Sequence, residues 1–145
     1  MPENPDAIVY QLLGQEGFDR LTAAFYRRVA TDDILRPMYP AGDLEPARLR
    51  LRDFLIFRFG GPPVYIATRG HPRLRARHVP FTIDERARDR WVELMTTSLK
   101  EACIPAEAAA ILTQFFANTA TFLINRAPPD AGAGFAGNPL FPVVE

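Results

Sequence analysis

Apolar residues recur three and four positions apart through most of this chain and nowhere alternate convincingly, which commits it to amphipathic helices rather than a sheet. Phe18, Leu21, Phe25 and Val29 form one stripe. Ala47, Leu51, Phe54, Leu55 and Phe59 form a second, with Pro46 suited to the first turn of its helix. Trp91, Leu94, Met95 and Ala102 line a third, and the capping-box spacing of Thr82 and Glu85 ahead of it makes Thr82 the expected cap. Pro105 opens a fourth, where Ala108, Ile111, Leu112, Phe115, Phe116, Thr119, Phe122 and Leu123 give a broad apolar face. Residues 108–125 carry no charge, yet Gln114, Asn118, Thr121 and Asn125 gather on one side. That stretch therefore reads as a core helix and not as a membrane span.

Residues 60–80 break the pattern. Gly60, Gly61, Pro62, Pro63, Pro72 and Pro80 preclude one continuous helix, because proline lacks an amide donor and biases its predecessor toward extended conformations. A long loop with a short helix is expected, residues 72–78 leaving room for about two turns. Loops of this length in a compact domain are usually functional or disordered. The 145 residues suit one all-α domain, expected over residues 1–126, with residues 127–145 a flexible Pro/Gly/Ala-rich extension. A single cysteine, Cys103, cannot form an internal disulfide, and no secretory leader opens the sequence. A cytoplasmic setting is the expectation.

The formal net charge of zero conceals a segregation. Residues 1–47 carry four Arg against eight acids, residues 48–90 eleven Arg against four, and residues 91–145 two bases against five, giving −4, +7 and −3. Arg suits fixed, bidentate contacts with carboxylate or phosphate, so the middle third is arranged to meet an anion. A solvated Arg-rich face is the plainer account.

Few residues offer chemistry. Cys103 is expected in an apolar helix, and the sequence holds no nucleophile elbow, phosphate loop or dinucleotide-binding glycine pattern. The two histidines, His71 and His78, both fall in the Pro-interrupted segment. His78 ends the expected short helix, where its ring can face a cofactor while the other nitrogen bonds a carbonyl one turn back, near Leu74. No cysteine or second well-spaced histidine completes a tetrahedral zinc site, so a cofactor needing one protein ligand suits it better. Tyr26, Tyr39 and Trp91 read as core residues with polar tips, whose alternative role is to donate hydrogen bonds into a pocket.

The run Arg69-Gly70-His71-Pro72-Arg73-Leu74-Arg75-Ala76-Arg77-His78-Val79-Pro80-Phe81, followed by Arg88-Asp89-Arg90-Trp91, resembles the truncated haemoglobins, more narrowly their second group. Phe25-Tyr26, Met38-Tyr39-Pro40 and Gly60-Gly61-Pro62 fall in the matching order, and the similarity covers about residues 8–126. Leu13-Gly14 stands where a Gly-Gly pair is common, and Phe59 where Trp is frequent.

The resemblance implies a two-over-two helical sandwich around haem b, with His78 as the iron ligand. It implies a distal cage of Tyr26, Tyr39 and Trp91, bordered by Ala47 and Leu51. Ala47 cannot donate a hydrogen bond, so polar stabilisation of a ligand falls to the Tyr and Trp tips. An apolar macrocycle then needs a slot lined by Phe54, Leu55, Leu74, Phe81, Ile83 and Met95, and its propionates need cations, for which Arg50 and Arg77 are expected, with Tyr65 and Arg73 in reserve. Dioxygen and other small diatomic ligands follow as partners, with peroxidase-like or nitric oxide dioxygenase-like turnover compatible with the site. A redox or detoxifying role suits a tight site better than transport, and would need a reductase that the sequence does not name. Two other readings differ in kind. One is a haem-containing gas or redox sensor. The other is a helical module whose Arg-rich middle grips an acidic partner, nucleic acid being disfavoured by the zero net charge and the lack of a helix-turn-helix signature. Monomer and homodimer are equally compatible with the sequence.

Overall fold

In a computed structural model, which describes residues 6–39, 41–74, 78 and 83–125, the described residues form five α-helices and a short 3-10 turn and include no strand. The helices are α1 (Ala7–Val29), α2 (Glu45–Arg58), α3 (Val64–Arg69), α4 (Glu85–Glu101) and α5 (Ala106–Phe122), with the 3-10 turn at Arg36–Met38 between the first two. The first stripe is the centre of the core: Phe18, Leu21, Phe25 and Val29 have no exposed surface, so α1 packs against α2, α4 and α5 at once. α4 lies in turn against α5, which completes two pairs of helices stacked on each other. Leu55 from α2, Phe59 just past its end, Met95 from α4 and Leu112 from α5 close the same core.

Two local expectations are corrected. α4 is capped by Asp84, whose Oδ1 accepts from the Ala87 amide at 2.9 Å, and not by Thr82, which lies outside the described residues. The helix begins at Glu85, so Asp84 occupies the position from which a side chain can reach the early amides. Phe122, assigned to the apolar face of α5, is 46% exposed, because the buried face runs through Ala108, Leu112, Phe116 and Ala120 and Phe122, two residues past Ala120, lies on the opposite side of the helix. No helix among the described residues is long and apolar enough to cross a membrane.

The turn from α1 to α2 is built from its own residues. Asp32 Oδ2 accepts from the amides of Ile34 (3.1 Å) and Leu35 (2.9 Å), and Asp32 Oδ1 meets Arg90 Nε on α4 at 3.4 Å. One carboxylate thus ties the turn that carries Tyr39 to the helix that carries Trp91. Within α1, Gly14 adopts φ 63° and ψ −178°, a region essentially closed to other residues, and there the helix changes direction. An added Cβ would meet nothing within 4 Å, so the cost of substitution is torsional. Gly14→Ala is expected to lower stability by about 1–3 kcal/mol in chemical denaturation. An unchanged midpoint would show that the backbone relaxes there.

Candidate functional site

A cavity of about 460 Å³ lies between the helix pairs, within the roughly 300–1,000 Å³ usual for cofactor sites. α1 contributes Tyr26, the following turn Leu35, Met38 and Tyr39, and α2 contributes Ala47, Arg50, Leu51, Phe54 and Leu55. Tyr65, Leu74, His78 and Ile83 approach from the Pro-interrupted side; Ala87, Arg88 and Trp91 come from α4, and Phe115, Phe116, Thr119, Ala120 and Leu123 from the α5 side. Most of these walls are apolar, with a few polar tips converging.

Of the residues singled out in the sequence, Tyr26, Tyr39, Ala47, Arg50, Leu51, Phe54, Leu55, Leu74, His78, Ile83 and Trp91 line this one cavity, as does Tyr65. Met95 does not. It is 1% exposed and packs in the interhelix core, because one turn beyond Trp91 the face of α4 is already covered by its neighbours. Arg77 and Phe81 lie outside the described residues. Missed from sequence were Leu35, Met38, Ala87, Arg88 and the α5 wall. The small side chains Ala87, Thr119 and Ala120 were the available signal, since small residues on an apolar face leave room where a packed core would be filled.

His78 is held as a metal ligand needs to be. Its Nδ1 lies 2.8 Å from the Leu74 carbonyl, which can only accept, so Nδ1 carries the proton and the lone pair is on Nε2. Burial pushes its pKa down to about 3, keeping the ring neutral. Neutral imidazole with a fixed tautomer is the ligating form.

The other polar tips are donors. The rings of Tyr26 and Tyr39 meet edge to face at 5.6 Å, and Trp91 packs against Phe25 at 5.0 Å and Phe116 at 5.3 Å. Burial pushes the Tyr26 phenol well above its ordinary pKa, and the adjoining Tyr39 hydroxyl adds to this. Burial raises Tyr39 as well, opposed in part by the Tyr26 hydroxyl and the Trp91 N–H. Both phenols therefore keep their protons at neutral pH.

Two cations reach the wall. Arg88 is committed elsewhere, its Nε donating to Thr121 Oγ1 at 3.0 Å and its Nη1 to Asp89 at 2.8 Å. Arg50 is different: its Nε is buried without a hydrogen-bond partner among the described residues. A buried guanidinium N–H left so is costly unless an acceptor arrives, and an anion in the cavity would be that acceptor.

The sequence pattern of the bacterial-like globins matches residues 8–125, a span that holds every described wall of this cavity. The chain belongs to that globin family. It is 35% identical over 117 residues to the group 2 truncated haemoglobin of Bacillus subtilis (strain 168), covering 81% of this chain and 88% of the relative. With two-on-two haemoglobin-3 of Arabidopsis thaliana it shares 33% identity over 119 residues, covering 80% and 68%. Among solved structures, the haemoglobin of the thermophilic phototroph Chloroflexus aurantiacus aligns with a TM-score of 0.78 and 44% identity over 81% of this chain and 98% of that one. The group II truncated haemoglobin of Bacillus anthracis aligns with a TM-score of 0.80 and 26% identity over 90% and 98%. The globin is thus a two-over-two sandwich.

Haem b is the cofactor of such globins, and the residues here fit it. The cavity has the volume and apolar walls for a flat macrocycle, His78 offers one neutral nitrogen ligand, and the orphaned Arg50 Nε suits a propionate. Replacing Arg50 by Met removes a buried unpartnered group from the haem-free globin and a charged partner from the loaded one. Arg50→Met is expected to leave the haem-free protein as stable or more so, while speeding haem loss roughly tenfold, the scale of a charge-assisted hydrogen bond. Haem transfer to an acceptor globin measures the second effect, and an unchanged rate would remove Arg50 from the propionates.

Proposed function

We propose that this globin binds haem b through His78 and takes dioxygen and other small gas ligands into a pocket that hydrogen-bonds them, in redox or detoxifying chemistry rather than bulk transport. The observation that carries this reading is that His78 and three hydrogen-bond donors, Tyr26, Tyr39 and Trp91, line one cavity. When bound, haem supplies an iron coordination position for a diatomic ligand. His78 holds its ring in place by donating from Nδ1 to Leu74, a bond that also raises the basicity of Nε2. Ala47 and Leu51 supply apolar wall and no donor. With haem bound, the phenols of Tyr26 and Tyr39, protonated by burial, and the Trp91 N–H would be the donors offered to a small ligand that carries partial negative charge. Arg50 would hold a propionate through its buried Nε.

Donors of this number slow ligand release, and a site that releases slowly delivers poorly. That favours conversion of the ligand, with an unidentified reductase as the electron source. A truncated haemoglobin of Bacillus subtilis, 34% identical to this chain with a TM-score of 0.77, is described as oxygen-avid, in keeping with this reading. Phe at Tyr26, Tyr39 or Trp91 is expected to speed oxygen dissociation in stopped-flow mixing, by roughly tenfold where the lost bond is charge-assisted. Three single variants that all release oxygen at the wild-type rate would sink the cage.

A further inference from the structure

The Pro-interrupted segment that carries His78 is poor in the means to hold itself, since Pro72 and Pro80 lack amide donors on either side of it. Three hydrogen bonds to His78 and Ile83 come from one residue just beyond α5. The Asn125 backbone amide donates to the Ile83 carbonyl at 2.8 Å, Asn125 Oδ1 accepts from the Ile83 amide at 2.9 Å, and Asn125 Nδ2 donates to the His78 carbonyl at 3.2 Å. These bonds span 42 and 47 residues of sequence. The side-chain orientation is fixed by chemistry, because an amide N–H can only meet the oxygen and a carbonyl only the nitrogen.

We propose that Asn125 is a positioning residue for the proximal histidine, clamping the His78 backbone from the stretch just past α5 while Leu74 fixes the ring. Only an amide side chain performs both tasks, as it presents an acceptor to Ile83 and a donor to His78 together. The other members of the same polar face are occupied differently. Gln114 Nε2 donates to Asn118 Oδ1 at 3.1 Å, and Thr121 accepts from Arg88. With ring and backbone both held, the imidazole has little freedom to tilt, so Asn125 sets where Nε2 presents its lone pair. A ligand's supporting bonds tune metal affinity as much as its identity does.

The clamp rests on the reading of His78 as the iron ligand, and its test separates the two. In haem-loaded full-length protein, Asn125→Ala loses both side-chain bonds, whereas Asn125→Asp keeps the acceptor for Ile83 and loses the donor to His78. Both are expected to shift the ferrous iron–histidine stretching band in resonance Raman and to speed haem loss roughly tenfold, as removal of a ligand's supporting contact commonly does. Gln114→Ala, on the same helix face, is expected to do neither. A wild-type band in Asn125→Asp would overturn the proposal. Amide exchange at Ile83 in the haem-free protein reads the clamp without iron: slow exchange in wild type and fast exchange in Asn125→Ala support it, and equally fast exchange in both overturns it. If wild-type protein shows no iron–histidine band at all, the ligand assignment of His78 fails, and Ile83 exchange still decides whether the clamp exists.

Discussion

Holding a cavity of about 460 Å³ between two helix pairs is the constraint on which the rest of the structure depends. A chain this size could have filled that space with side chains, and interiors normally do. Here small residues keep it open at Ala47, Ala87, Thr119 and Ala120, while α1 takes over the burial that the cavity denies to α2 and α4. The polar groups that line it include neutral donors, one neutral imidazole, Arg88 and a guanidinium N–H of Arg50 without a partner among the described residues, a set that makes chemical sense around an apolar, anion-bearing disc with a metal at its centre.

The charge segregation has an internal explanation. Arg48 and Arg52 of the basic middle meet Asp19 of the acidic first third at 3.2 and 3.0 Å, Arg58 meets Asp6 at 2.8 Å and Arg90 meets Asp32 at 3.4 Å. Such partly exposed pairs contribute only about 0–1 kcal/mol each. Their effect is to cancel much of the local excess that an external acidic partner would otherwise be called on to neutralise. Arg50 stands outside this pairing, with its Nε meeting no acceptor among the described residues.

Helix content and the inner stripes were legible because period 3.6 separates buried from exposed positions over many residues, as at Phe18, Leu21, Phe25 and Val29. His78 stood out because the chain has few alternatives and because proline fixes what can surround it. Periodicity could not separate Trp91 from Met95, since both lie on one stripe and only the packing of α1 and α5 decides which of them faces the cavity. Nor could it show that α5 supplies a wall, because an apolar face that packs and one that lines a cavity look alike in sequence. Long-range pairings, from Asp32 with Arg90 to Asn125 with Ile83, have no local signature, and the spacing of Thr82 and Glu85 did not reveal that α4 begins at Glu85 with Asp84 as its cap.

The central claim is that His78 holds haem iron in this cavity. Titrating haem-free protein with haemin while following the Soret band tests it most directly, for wild type beside His78→Ala. Wild type is expected to take up one haem per chain, with the spectrum of histidine-ligated ferrous haem on reduction, and the variant to show weak uptake without that ligation. A His78→Ala protein that binds haem as tightly as wild type and keeps the histidine-ligated spectrum would contradict it.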